Sequence, residues 1–267
     1  MLDAGKKNIL GILVNAMDYE AAVSFVVRAA EERRNATVAS EAIHAVMMGV
    51  LDPEHQYRLN HFSLILPDAQ GVRWGLNLLH RARLSDRVYG PNLTLAVLTA
   101  AQEKGLPVYF YGSNPPTIEN LARNLAERFP RLVVAGMEPG KYRPLSGQEK
   151  QELAQRIRDS GAAIVFVGLG CPRQEVWAYE YRDLLPMPII AVGAAFAFMA
   201  GELRQAPLWM QNYGLEGVFR FCCEPRRLWR RYLLMSPMYV FLLTLQGLGL
   251  KSFDTKGIKP AAELSYG

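Results

Sequence analysis

Residues Ile164–Glu175, IVFVGLGCPRQE, decide the fold. The apolar, partly β-branched opening reads as a strand buried on both faces. Gly168 and Gly170 let the backbone turn tightly and lie close to a ligand. Pro172 suits the first turn of a helix, and Arg173, Gln174 and Glu175 follow at once. A strand, a glycine turn and a helix start form an anion-binding corner, because free N–H groups and the helix dipole point at one place. Arg173 adds a forked, permanently charged donor. An ordinary βα turn carries the same signature, so both readings stay open on this motif alone.

The surrounding sequence repeats the pattern. Residues 8–14 read as a first strand, and Asp18 can cap a helix running through Arg33. A short strand near Ala36–Ala39 leads to a helix carrying Ile43, Val46 and Met47, and Asp52-Pro53 opens another. Strands are expected at Leu64–Leu66, Pro107–Tyr111, Leu132–Ala135 and Pro188–Val192. Helices are expected through Trp74 and Leu79, over Leu93–Lys104, from Thr117 to Phe129, and after a Ser146/Glu149 capping box. This alternation predicts an α/β fold: a Rossmann-like, mostly parallel sheet with helices on both faces. Ligands of such sheets bind beyond the carboxyl ends of the strands. Thr37, Asp68, Gly112, Gly168 and Gly193 fall after strands on this reading.

The chain has 267 residues and is 50% hydrophobic, enough for one large domain or a domain with an appendage. Three cysteines without zinc-like spacing point to a reducing compartment. The opening residues lack the long apolar segment of a signal peptide, so a cytoplasmic body is expected. The organisation expected is an α/β catalytic domain over 1–202 and an Arg-rich, apolar helical appendage over 203–267. From Ala200 onward nine Lys/Arg face five Asp/Glu, so most of the net charge of +5 lies there.

Within the appendage, Arg226, Arg227, Arg230 and Arg231 form two i,i+4 pairs on a helix. Tyr232–Leu250 then runs for nineteen residues without a charge, near the minimum for spanning a bilayer. Pro237, Gly247, Gly249, Thr244 and Gln246 weaken it. Arginines beside aromatic and apolar side chains favour attachment to an anionic membrane surface, ahead of core packing and then of spanning. Nucleic acid is disfavoured, because the arginines abut a lipid-like run rather than a recognition helix.

Asp68 is the first candidate for chemistry. A carboxylate after a short buried strand sits where ligand binds, and burial would raise its pKa toward that of a general base. A helix N-cap is the competing role, because a helix begins near Gly71. His44 reads as a satisfied core histidine, and His55 and His61 as solvated helix residues. No His, Asp or Glu pair has metal spacing. Neither a Gly-x-Ser-x-Gly nor a Walker sequence is present, and no Gly-x-Gly-x-x-Gly follows the first strand, which argues against a nicotinamide-dependent dehydrogenase.

A series of short motifs then carries a resemblance. They are Pro67-Asp68 before Gly71-Val72-x-Trp74, Asp86-Arg87-Val88-x-Gly90, and Val167-Gly168-Leu169-Gly170-x-Pro172-Arg173-Gln174-Glu175. After them come Gly193-x-x-Phe196, Ala206-Pro207-x-Trp209-Met210-Gln211, and Glu224-Pro225-Arg226-Arg227-Leu228-x-Arg230-Arg231-Tyr232. Over roughly residues 8–232 the chain resembles the WecG/TagA/CpsF family of bacterial glycosyltransferases. The resemblance implies inverting transfer of a sugar from a UDP-sugar to a polyprenyl-diphosphate-linked saccharide, without cofactor or divalent metal. It implies a peripheral position on the inner face of the cell membrane and leaves room for a homo-oligomer. By the same resemblance Asp68 is the base and Thr37 a polar group beside it. Arg87 and Gln174 are then pocket residues, and Asn92, Gly112, Gly168, Gly170, Arg173 and Gly193 complete the expected UDP-sugar site. The four tail arginines meet diphosphate or membrane. Ala39, Ala69, Asn92, Ala194, Ala197 and Gln205 depart from the family's usual polar pattern, which changes the sugar contacts available and leaves a non-catalytic sugar-nucleotide-binding relative as the alternative.

Overall fold

The computed structural model describes residues 1–267, apart from the side chains of Leu208 and Asn212. The chain opens with a hairpin, β1 (Asp3–Ile9) and β2 (Ile12–Met17), paired antiparallel as a separate two-stranded sheet. The single strand expected over residues 8–14 is therefore broken. Leu10 and Gly11 turn at φ 54° and 91°, and a Cβ on Gly11 would lie 2.8 Å from the Asp254 carbonyl. This turn requires glycine.

Asp18 caps α1 (Tyr19–Glu31) by accepting from the Ala21 N–H at 2.9 Å. Then follow β3 (Ala36–Glu41), α2 (Ile43–Leu51), α3 (Pro53–Asn60), β4 (Leu64–Pro67), α4 (Gln70–His80) and α5 (Gly90–Lys104). After these come β5 (Val108–Gly112), α6 (Pro115–Arg128), β6 (Val134–Glu138), α7 (Gly147–Asp159), β7 (Ile164–Gly168), α8 (Arg173–Tyr181) and β8 (Pro188–Ala191). Ser146 and Glu149 make the expected capping box at α7. The six later strands form one parallel sheet in the order β4-β3-β8-β7-β5-β6. The exposed edge of β4 is met by the hairpin, where Asn15 Oδ1 accepts from Ile65 N–H at 3.0 Å; such cover suppresses edge-to-edge pairing.

The period of two divides the core cleanly. Val165, Val167, Ile189 and Ala191 face one layer with Trp177 and Tyr181. Ile164, Phe166, Ile190 and Val38 face the other with Leu93, Val97 and Leu121. His55 is buried at 3% exposure rather than solvated, whereas His61 is exposed and stacks on Tyr57.

Beyond β8 lie α9 (Ala195–Met199), α10 (Leu208–Asn212), α11 (Glu216–Cys223), α12 (Pro225–Trp229), a π-helical segment (Arg230–Met235) and α13 (Ser236–Gly247). The uncharged run is thus divided, and among the described residues no helix is long and apolar enough to cross a membrane. One side of α13 is core: Tyr239 and Leu243 are buried, and the Tyr239 hydroxyl donates to the Gly71 carbonyl at 3.2 Å. The other side is open, with Val240 59% and Phe241 62% exposed. After α13 the chain runs back as a strap. Asn8 and Asn60 hold its Phe253 and Thr255 carbonyls, and Glu180 accepts from the Leu264 and Ser265 N–H groups.

Candidate active site

The carboxyl ends of β3, β4, β7 and β8 meet two cavities, of about 260 Å³ and 290 Å³. The first is lined by Ser40, Glu41, Gly168, Gly170, Gly193 and Arg227, among others. The second is lined by Gln70, Arg87, Glu216, Val218, Tyr232 and Ser236, among others. Ala42, His44, Asp68, Arg220 and Arg231 line both. Asp68 therefore stands at the seam between two compartments, with two arginines of the C-terminal helices opposite.

Asp68 does not cap its own helix. Ala69 holds the N-cap position of α4 without a side-chain bond, whereas Asp68 Oδ1 accepts from the Gly90 N–H at 2.6 Å, at the start of α5. Desolvation pushes its carboxyl up to about 6, opposed by that N–H and by Arg87. The result is a carboxylate of raised basicity facing open space, as a general base needs.

Thr37 lies elsewhere. Strand β3 continues to Glu41, so Thr37 sits near its amino end, where its hydroxyl accepts from Ser63 N–H. The polar residue beside Asp68 is Ser40, whose Oγ is buried without a partner and whose Cβ, like Asp68 Oδ1, lies against Gly90. The same extension puts Ala39 in the apolar core and makes Ala42 the small residue at the cavity wall. Ala194 and Ala197 do line the first cavity and Ala69 the second. Asn92 and Gln205 are exposed and line neither cavity.

Arg87 is buried and bonds Glu216 of α11 at 2.5 Å and the Asp68 carbonyl at 3.3 Å. It ties the C-terminal helices to the sheet at the second cavity. Gln174 is also buried and spans the glycine turns. Its Oε1 accepts from Gly170 and Gly193 N–H, both at 3.1 Å, and its Nε2 donates to Glu175. Two N–H groups that the sequence offered to an anion are thus taken by an amide. Gly112 brings β5 against β7: at φ 108° a Cβ would lie 2.9 Å from the Gly168 carbonyl carbon. Arg173 is exposed outside the first cavity, between the Tyr142 and Tyr266 rings at 5.6 and 5.9 Å.

The tail arginines divide. Arg227 and Arg231 line the first cavity, while Arg226 and Arg230 are exposed away from it. Arg220 joins the site and was not singled out for it from sequence, because no motif marks a lone arginine in an amphipathic helix. His44 also belongs to the site rather than the core. Its Nε2 is buried without a partner, and desolvation with Arg231, Arg220 and Arg227 pushes it down to about 3, so the ring is neutral.

The fold also brings Glu41 within 4.8 Å of Cys171 and Glu175, which lie one helical turn apart in a distant part of the sequence. Burial raises the pKa of all three groups, so a metal binding there would have to displace their protons.

The Glycosyl transferase WecG/TagA/CpsF family matches residues 7–252. An N-acetylglucosaminyldiphosphoundecaprenol N-acetyl-beta-D-mannosaminyltransferase of Bacillus spizizenii is 31% identical over 190 residues, 71% of either chain. A protein of the same name from Bacillus subtilis is 26% identical over 227 residues, 85% of this chain and 86% of the relative. The order of motifs, the parallel sheet and the match across nearly the whole length agree: the chain belongs to the WecG/TagA/CpsF family of glycosyltransferases.

Proposed function

We propose that this glycosyltransferase moves a sugar, with inversion, from a UDP-sugar to a lipid-diphosphate-linked saccharide in the synthesis of a cell-surface polymer. The observation that carries the reading is the seam: two cavities share a wall containing Asp68, His44, Arg220 and Arg231. The donor occupies the glycine-floored cavity and the acceptor sugar the second. Asp68 takes the acceptor hydroxyl proton as that oxygen attacks the anomeric carbon from the face opposite the departing UDP. Arg220, Arg227 and Arg231 steady the negative charge that gathers on the diphosphate, a role filled by cations where charge develops. The relatives' names, which join a sugar donor to a diphosphoundecaprenol acceptor, support this substrate class.

Leu233 and Leu234 of the π-helical segment and the exposed Val240 and Phe241 of α13 meet the lipid boundary, and Arg226 and Arg230 meet anionic headgroups. On this reading the protein is peripheral on the inner face of the membrane, where a lipid-linked acceptor is presented. The test is UDP release across a panel of UDP-sugars with a lipid-diphosphate sugar acceptor in detergent. Turnover requiring both substrates supports the reading; UDP release indifferent to the acceptor overturns it. Activity is expected to persist in EDTA, and full loss restored by magnesium or manganese would assign the leaving-group role to a metal instead of the arginines.

A further inference from the structure

The wall of the first cavity holds a buried acidic pair that the reaction above does not use. Glu41 ends β3 and Glu175 lies in the first turn of α8, and each is 1% exposed. Neither oxygen of Glu41 has a hydrogen-bond partner, nor has Oε2 of Glu175. Oε1 of Glu175 accepts from Gln174 Nε2 at 2.7 Å, and Gln174 Oε1 accepts from the N–H groups of Gly170 and Gly193. A polar chain therefore runs from Glu175 through Gln174 to both glycine turns, and a carboxyl oxygen of Glu41 lies within 4.8 Å of one of Glu175.

Two bare carboxylates do not persist in such a place. Burial raises the pKa of both, and the charges of Glu175 and Asp68 raise that of Glu41 further. Arg231 faces Glu175 and Cys171 from the π-helical segment, and the neighbouring Cys171 thiol is itself held protonated. Close carboxyls of this kind hold one proton between them. A carboxyl donor on Glu41 also supplies what the free Glu175 oxygen lacks.

We propose that Glu41 and Glu175 are positioning residues: Glu41, protonated, donates to the Glu175 carboxylate, which fixes the Gln174 amide and thereby the Gly170 and Gly193 turns. That these turns floor the donor cavity rests on the reading above; the proton-sharing chain does not. When the shared proton leaves, two anions face each other, the Gln174 amide loses its fixed partner, and the turns loosen.

The experiment has one arm without substrate and one with it. In the ligand-free protein, the Gly170 and Gly193 amide resonances are followed as pH rises from about 6 to 9 in wild type, Glu41→Gln and Glu41→Leu. The wild-type resonances are expected to titrate together, and those of Glu41→Gln to stay fixed, because an amide donates at every pH. In the kinetic arm, the wild-type KM for the UDP-sugar rises roughly tenfold between about pH 7 and 9 while kcat changes little. Glu41→Gln removes that rise, and Glu41→Leu shows the raised KM throughout. Thermal melting verifies that each variant is folded. Glycine resonances that ignore pH, or that titrate equally in wild type and Glu41→Gln, overturn the proposal. So does a stoichiometric divalent cation in the purified protein whose removal moves the same resonances. If the resonances behave as expected but KM does not, the proton-sharing chain stands and the placing of the donor is what fails.

Discussion

A carboxylate held above its ordinary pKa carries a cost that can be measured. Asp68 binds a proton in the folded protein at a pH where the unfolded chain has already released it, because its carboxyl is raised from 3.8 to about 6. Stability from this group is therefore complete below about pH 4 and falls as pH rises through 6. At neutral pH Asp68→Asn should stabilise the protein by up to about 3 kcal/mol, read as a shift in the urea midpoint. The same variant should lower kcat about a hundredfold or more with UDP affinity nearly unchanged. Wild-type kcat/KM should rise with pH through a limb near 6, and a loss of stability with turnover spared would make Asp68 structural. His44 carries a complementary expectation: its ring resonances should not titrate between about pH 5 and 8, and an ordinary imidazole titration would mean that the three arginines do not face it. Asp68 was legible in the sequence because a short apolar strand ending in Pro-Asp announces a strand end. Thr37 was misplaced by three residues relative to Ser40, because Ser40 and Glu41 do not look like strand residues, yet the parallel ladder extends through both.

Helices and strands were readable where the apolar period was strong, and much less so where tertiary partners decide. The alternating elements from β3 to β8 follow their sequence signals within a few residues. The hairpin was missed, because Leu10-Gly11 resembles the interior of an apolar strand until its close approach to Asp254 is seen. The cavity wall formed by α11 was equally illegible, since the buried ion pair that ties it to the sheet joins residues far apart in sequence. Arg87 and Glu216 have side chains 8% and 9% exposed. Removing one partner strands the other charge, so Glu216→Ala should cost about 3–5 kcal/mol in chemical denaturation. A cost under about 1 kcal/mol would mean that the pair behaves as a surface bridge. Among the arginines, Arg227→Ala and Arg231→Ala should reduce turnover with liposome binding near normal. Arg226→Ala and Arg230→Ala should weaken binding to anionic liposomes with modest kinetic change. Four variants behaving alike would show that the helical faces do not separate the two roles.

At the scale of the molecule, the nineteen uncharged residues separate into two fates. Part of the run is core, part is open surface, and hydropathy alone cannot divide them, because both sides of α13 are apolar. The strap resolves what that surface can do. Arg231 of the π-helical segment lies in the cavity wall, and the chain after α13 is fastened to Asn8, Asn60 and Glu180. The twelve residues of α13 span about 18 Å between these moorings. A helix tied at both ends cannot tip upright; it can only settle lengthwise. On the membrane-surface reading proposed above, the depth of immersion is then set by the protein, close to one helix radius, whatever the thickness of the bilayer beneath. Like the keel of a moored boat, α13 would hold the seam at a constant height above the lipid, and varying acyl-chain length in nanodiscs should leave both KM and kcat unchanged.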